Sequence, residues 1–326
     1  NDILYINNHV DLLSFTLTNP NAPVMVGRTE DVFEPFGIFT NDLGYEEMIV
    51  DYVPTDEVQF IDCTDPRINR NIFWDDGLIF AAEFDAATSN QSNRNQGSGN
   101  EQVGIGGSLA RFTITNGTLY AVDESRLKTF NLNNPTLPEF MGNVNLGWGV
   151  ETIFPHGNEI YIGTNTGMHI YDASEPLSPR RLGSIEHVRS CDPVVVNGDR
   201  AYVTLRGGTF CGGFSNQLEV IDVSNPSNPE RMQIYPMDGP AGLSVADNKL
   251  FIAQPGHDFK IYQLEGNGLR GEELNSLPEL KNAIDVIGLP WLDRIITLGS
   301  DGVQQFDYSN DGQLERLSLL DVCESF

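Results

Sequence analysis

Five histidines, His9, His156, His169, His187 and His257, are the first residues to test for chemistry. None sits in an HExxH or HxH arrangement, or in a Cys/His spacing that would converge on zinc. His169 alternates with Ile170 in a strand-like run and reads as a sheet-face residue. No GxSxG is present, which excludes the strained elbow of an α/β-hydrolase. The glycine pairs Gly106-Gly107 and Gly212-Gly213 open no helix, so no phosphate cradle is supported. "DYSNDG" (307–312) places Asp307, Ser309, Asp311 and Gly312 at the first, third, fifth and sixth positions of a calcium loop. The twelfth position is Ser318 rather than Glu, and the flanks are strand-like, so a hairpin is the better reading. No cofactor is expected, with loosely bound calcium as the one exception. "FWDDGL" sets Trp74 beside Asp75 and Asp76; an aromatic next to carboxylates suits a sugar, but Asp76-Gly77 suits a turn.

The elements that must position such residues follow from a repeated sentence. "EVIDVSNPSNPE" (219–230) is a β-branched alternation stopped by two Asn-Pro pairs. The same ending recurs in "LLSFTLTNPNAP" (12–23), "TFNLNNPTLP" (129–138) and "HIYDASEPLSP" (169–179). An apolar-aromatic anchor precedes each copy: Leu4-Tyr5, Met48-Ile49, Leu119-Tyr120, Ile160-Tyr161, Ala201-Tyr202, Leu250-Phe251 and Ile295-Ile296. From Tyr120 onward the spacing is roughly 40–50 residues, the period of a four-stranded propeller blade. One full unit reads as strands 150–157, 159–164, 167–173 and 180–186. Apolar residues recur with period two, not 3.6. The expectation is therefore an all-β propeller of seven four-stranded blades in one domain, 1–326, with six or eight as alternatives. The chain opens inside a second strand, so the first blade is expected to lack its inner strand, as in a mature or trimmed chain. Residues 86–107, poor in apolar side chains, read as a flexible insertion. Tyr161, Tyr202, Phe251, Ile221, Val195 and Ile170 are the expected core.

"LEVIDVSNPSNP" resembles the LVIVD repeat, a propeller motif of secreted and surface-anchored bacterial proteins. "GGSLARFTI" (106–114), "GWGVETIFPHGNEIYIGTNTGMHIYD" (147–172) and "HVRSCDPVVVNGDRAYVTLRGGTFCGG" (187–213) are similar to a subgroup common in Bacteroidetes lipoproteins. The resemblance covers residues 105–310 well and 1–65 loosely. It implies a β-propeller outside the cytoplasm, usually lipid-anchored on an N-terminal cysteine that would lie upstream of this sequence. It implies no catalytic residues.

Composition narrows the partners. A formal charge of −27, from 19 basic and 46 acidic residues, opposes binding to nucleic acid or anionic lipid. No stretch approaches the length of a transmembrane helix.

Blade geometry then defines an upper face, where inner strands start and second-to-third loops lie. It gathers Trp148, Glu151, His187, Arg189, Asp192, Arg206, His257, Asp258, Asp285 and Asp301. Such a set either binds a polar ligand or forms a hydrogen-bonded plug in the channel. Cys191 precedes an inner strand, and Cys211 hangs on the loop above the same blade. Cα atoms within about 7 Å would allow a disulfide between them, which would place the protein in an oxidising compartment. Cys63 and Cys323 are expected to stay unpaired; four reduced cysteines are the alternative. The expected function is a non-catalytic, extracytoplasmic protein-interaction or assembly module at the cell surface. The alternatives are a carbohydrate-binding module, for which only Trp74, Trp148 and Trp291 are available, and a metal-assisted hydrolase or lactonase using channel carboxylates.

Overall fold

The computed structural model describes residues 3–8, 10–19, 22–33, 38–40, 46–48, 86–89, 104–187, 193–207, 215–310 and 313–320. Six antiparallel sheets succeed one another, five of them meanders, and from the first to the sixth the inner strand of each touches the inner strand of the next. Blade 1 holds Ala86–Ser89 innermost, then Ile3–Asn8, Asp11–Thr16 and Val24–Thr29, with the short Gly104–Ile105 beside the inner strand. Blade 2 runs Phe112–Thr115, Thr118–Val122, Arg126–Asn131 and Glu139–Asn145. Blade 3 runs Val150–His156, Glu159–Thr164, Gly167–Asp172 and Arg180–Glu186. Blade 4 runs Val194–Asn197, Arg200–Leu205, Gln217–Asp222 and Glu230–Pro236. Blade 5 runs Leu243–Ala246, Lys249–Ile252, Phe259–Leu264 and Arg270–Leu277. Blade 6 runs Ala283–Leu289, Arg294–Gly299, Gly302–Asn310 and Gln313–Leu320. The expected core residues Tyr161, Tyr202, Phe251, Ile221, Val195 and Ile170 are all buried.

The expectation of seven blades is corrected: the described residues form six. The Met48 anchor falls in a two-stranded hairpin, Ile38–Thr40 with Glu46–Met48, instead of a blade. Blade 1 also lies directly against blade 2, which leaves no room for a sheet between them. Ile3, Tyr5 and Leu12 share one core with Phe112, Ile114 and Leu119, and the Tyr5 hydroxyl donates to the Pro135 carbonyl at 2.6 Å. The first blade does not lack its inner strand either. Ala86–Ser89 pairs with Ile3–Asn8, with Tyr5 opposite Ala87. The exposed ladder edge of a second strand needs partners for its N–H and C=O groups, and a segment from later in the chain supplies them.

The repeated sentence now has a physical meaning. In blades 2, 3 and 4 a polar residue ends the third strand and accepts from the backbone two residues on: Asn131 from Asn133 N, Asp172 from Ser174 N and Asp222 from Ser224 N; Asp307, within the third strand of blade 6, accepts from Ser309 N in the same way, all at 2.6–3.0 Å. These Asx turns divert the chain. The next turn closes between Leu137 N and Asn134 O, Ser178 N and Glu175 O, and Asn228 N and Asn225 O. Proline within that turn fixes φ and donates nothing, so nearby carbonyls remain free for the preceding blade. Tyr5 reaches Pro135 O in this way and Tyr120 reaches Pro176 O at 3.5 Å; Tyr202 makes the same contact at 2.8 Å with Gly268 O of blade 5, whose turn carries no proline. Burial pushes Tyr120 and Tyr202 up to about 12, which keeps their hydroxyls protonated as donors. Tyr161 departs from the pattern and donates to Glu159 of its own strand.

The outer strands follow the same constraint. A Cβ on Gly183 of blade 3 would collide with the Pro226 carbonyl of the blade 4 turn, and one on Gly27 of blade 1 would collide with Thr136 O of blade 2. Gly142 occupies the equivalent register position in blade 2 and faces open space. Gly183→Ala should therefore lose about 1–3 kcal/mol by overpacking against backbone. Gly142→Ala should stay within about 0.5 kcal/mol of the parent. Urea unfolding of the two variants checks this, and equal small losses would contradict the blade 3–blade 4 approach.

Candidate functional site

The upper-face residues divide into separate groups. Trp148 stands between two glycines, Gly147 and Gly149, whose φ values of 90° and 87° suit glycine alone. The loop is pinned by Asn145 Oδ1 accepting from Gly147 N, and by Gly149 N donating to Glu124 O. It holds the indole 81 % exposed. Glu151, in the inner strand of blade 3, is half-buried. His187, also half-buried, follows the outer strand of that blade and donates its backbone N–H to Thr166 O. Arg189 and Asp192 lie outside the described residues, as do Trp74 and all four cysteines, including the expected Cys191–Cys211 pair.

Arg206 and His257 come together. Gly239, with φ 66°, sits between them; a Cβ there would lie 3.9 Å from Arg206 Nε and 3.6 Å from the His257 ring. The neighbouring carboxylates are engaged within the fold. Asp258 accepts from Ser276 Oγ at 2.6 Å, and Asp301 accepts from Asn282 Nδ2 on both oxygens at 2.9 and 3.0 Å.

Asp285 is the most constrained member. It is the third residue of the inner strand of blade 6, and its side chain is buried. Its oxygens accept from Ser108 Oγ at 2.9 Å, Val286 N at 2.8 Å and Leu109 N at 3.5 Å. Ser108 Oγ in turn accepts from Leu243 N of blade 5 at 2.8 Å. A Cβ on either Gly107 or Gly242 would strike the Asp285 carboxylate. The segment 107–109, which leads into blade 2, thus reaches across to the inner strands of blades 5 and 6. That arrangement is a buried hydrogen-bonded tie from blade 2 to blades 5 and 6. Sequence reasoning singled out Asp285 but missed Gly107, Ser108 and Gly242. The available signal was "GGS" (106–108), small residues directly before an inner strand.

Among the described residues, no three His, Cys, Asp or Glu side chains form a group able to hold a metal ion. At 307–312 the described part, Asp307–Asn310, is the end of a strand that pairs with Gln313–Leu320. Asp307 Oδ1 accepts from Ser309 N and Oγ, and Oδ2 pairs with Arg294 at 2.6 Å. The Ser309 hydrogen bonds hold its carboxyl below the usual range. Asp311 and Gly312 lie outside the described residues.

The LVIVD repeat family model matches residues 189–236, the stretch that spans most of blade 4. Comparison with curated protein sequences gives no match. Solved structures share the architecture. A protein from Lactobacillus plantarum aligns with TM-score 0.53 at 9 % identity, covering 97 % of this chain and 95 % of that one. A functionally unknown protein from Desulfotomaculum acetoxidans aligns with TM-score 0.54 at 9 % identity, covering 98 % and 95 %. The periplasmic gluconolactonase of Pseudomonas aeruginosa aligns with TM-score 0.54 at 10 % identity, covering 98 % and 96 %. At such identities the likeness shows the fold alone. The chain is a β-propeller carrying an LVIVD repeat.

Burial pushes the Asp285 carboxyl up to about 6, against the opposing pull of its hydrogen-bond donors. An unfolded carboxyl titrates near 4, so between these values the folded chain holds a proton that the unfolded chain has released. The stabilisation tied to that proton is complete below about pH 4 and is lost as pH rises through about 6. Asp285→Asn removes this titration. Its stability relative to the parent should improve by on the order of 3 kcal/mol between pH 4 and pH 7. Urea unfolding across that range measures it, and a pH-independent difference would contradict the buried titration.

Proposed function

We propose that this propeller is a non-catalytic binding module that docks a protein partner outside the cytoplasm, through an apolar strip on its rim. One observation carries the reading. Val24, Met25 and Val26 on the outer strand of blade 1 are 58 %, 55 % and 40 % exposed. Leu137, Phe140 and Met141 at the outer edge of blade 2 are likewise exposed. The two sets adjoin because Gly27 approaches Thr136. A contiguous apolar patch of this kind is a mark of a protein-binding surface.

Two further features support the reading. The axial carboxylate Asp285 is committed to Ser108 and to backbone N–H groups, which argues against the metal-assisted hydrolase or lactonase alternative. A charge of −27 favours a hydrated outer surface and opposes nucleic acid. No helix among the described residues is long and apolar enough to cross a membrane. Placement at the cell surface, with a lipid anchor upstream, rests on the likeness to LVIVD-repeat surface lipoproteins. A second reading, carbohydrate binding, is favoured by the exposed Trp148 on its glycine-flanked loop, because an open indole face stacks on sugar rings.

Affinity capture from an extract of the source cells separates these readings. A partner should be held by the parent chain and by Trp148→Ala, and lost with the double variant Met25→Lys, Phe140→Lys. Identical capture by all three would overturn the rim reading. Loss with Trp148→Ala alone, together with glycan-array binding by the parent, would replace it with the sugar reading.

A further inference from the structure

The outer strand of blade 1 differs from the other five in a way that specifies how a partner would bind. Every outer strand presents one ladder edge with no neighbour among the described residues. Such an edge invites pairing with another chain unless charged side chains guard it. Five strands carry exposed glutamates: Glu139 in blade 2, Glu186 in blade 3, Glu230 in blade 4, Glu272 and Glu273 in blade 5, and Glu315 in blade 6. The blade 1 strand, "VMVGRT", carries none. Its one charge, Arg28, is paired with Asp11 of the neighbouring strand. Three consecutive apolar residues are exposed on it, so both faces of the edge are apolar.

We infer that Val24–Thr29 is an open pairing edge that takes an extended apolar segment of a partner protein, bearing lysine or arginine, as an added strand. This rests on the rim reading above and adds the mode of binding. Backbone hydrogen bonds along the edge supply affinity, and alternate side chains of the incoming strand find a shelf at the side. Leu137, Phe140 and Met141 form that shelf, with the Phe140 ring fixed edge-on against Phe130 at 5.6 Å. Charge selects the partner. Glu30, Asp31 and Glu139 are exposed beside the strip, on a chain of net charge −27. A second copy would bring the same charge to the same place and be repelled; a basic strand is attracted.

The probe is a labelled, end-capped peptide of alternating valine and lysine, measured at physiological salt to screen diffuse attraction. It should bind in a saturable 1:1 complex and slow amide exchange specifically along Val24–Thr29. Val24→Lys with Val26→Lys, both at exposed positions, should weaken binding at least tenfold while leaving the melting temperature unchanged. Leu317→Lys on the blade 6 edge should leave binding unchanged. A peptide N-methylated at alternate residues should not bind. The inference is overturned by no binding, by equal binding to the lysine variant or of the N-methylated peptide, or by a peptide-free dimer that protects the same amides. If the peptide fails while Met25→Lys, Phe140→Lys still loses a captured partner, only the strand-addition mode fails. If that variant loses nothing, the rim reading itself fails.

Discussion

The hydroxyl of Ser108 lies between the N–H of Leu243 and the carboxylate of Asp285, and so ties the lead-in of blade 2 to the inner strands of blades 5 and 6. At the axis the inner strands of successive blades come together. A buried carboxylate there is costly unless its oxygens find donors. Here the donors come from the chain itself, and two glycines, Gly107 and Gly242, give the room that the carboxylate needs. Blade 2 is thereby tied to blades 5 and 6 from within, and among the described upper-face residues Asp258, Asp285 and Asp301 are each engaged with the fold.

Around that tie, the blades hold one another by a device that the sequence spells out repeatedly. A tyrosine in a second strand passes between sheets to a turn carbonyl of the next blade, and glycine in two outer strands lets that turn come close. In blades 2 and 3 the Asx turn and the proline serve to present the carbonyl. The unit is therefore blade plus neighbour: a single four-stranded sheet cannot bury both faces, and stacking buries them. Among the described residues, the rim is where exposed apolar side chains of two blades, Val24–Val26 and Leu137–Met141, adjoin.

Much of this was legible in the residues. The four strands of blade 3 were readable almost to the residue, because alternation and Gly/Asn turns agree there. The blade count was not, because Met48-Ile49 imitates the apolar anchor of a second strand while its described part belongs to a short hairpin. Nor was the inner strand of blade 1, since Ala86–Ser89 is far in sequence from Ile3–Asn8 and has no β-branched run to announce it. Asp285 stood out as a channel carboxylate, yet its partner Ser108 sits 177 residues away and no local pattern links them. The rim strip was hidden for another reason. An apolar run reads as buried core, and only the geometry shows Val24, Met25 and Val26 on an outside edge.

The claim that Ser108 and Asp285 tie blade 2 to blades 5 and 6 is tested most directly by a double-mutant cycle on Ser108→Ala and Asp285→Ala, read as the free energy of urea unfolding at neutral pH. Two side chains in one buried hydrogen-bonded unit should couple by about 1–3 kcal/mol. Single losses that add to within about 0.5 kcal/mol would show that the two do not act together. Ser108 and Asp285 would then not hold the blades together as one unit, and the account built on that tie would fall.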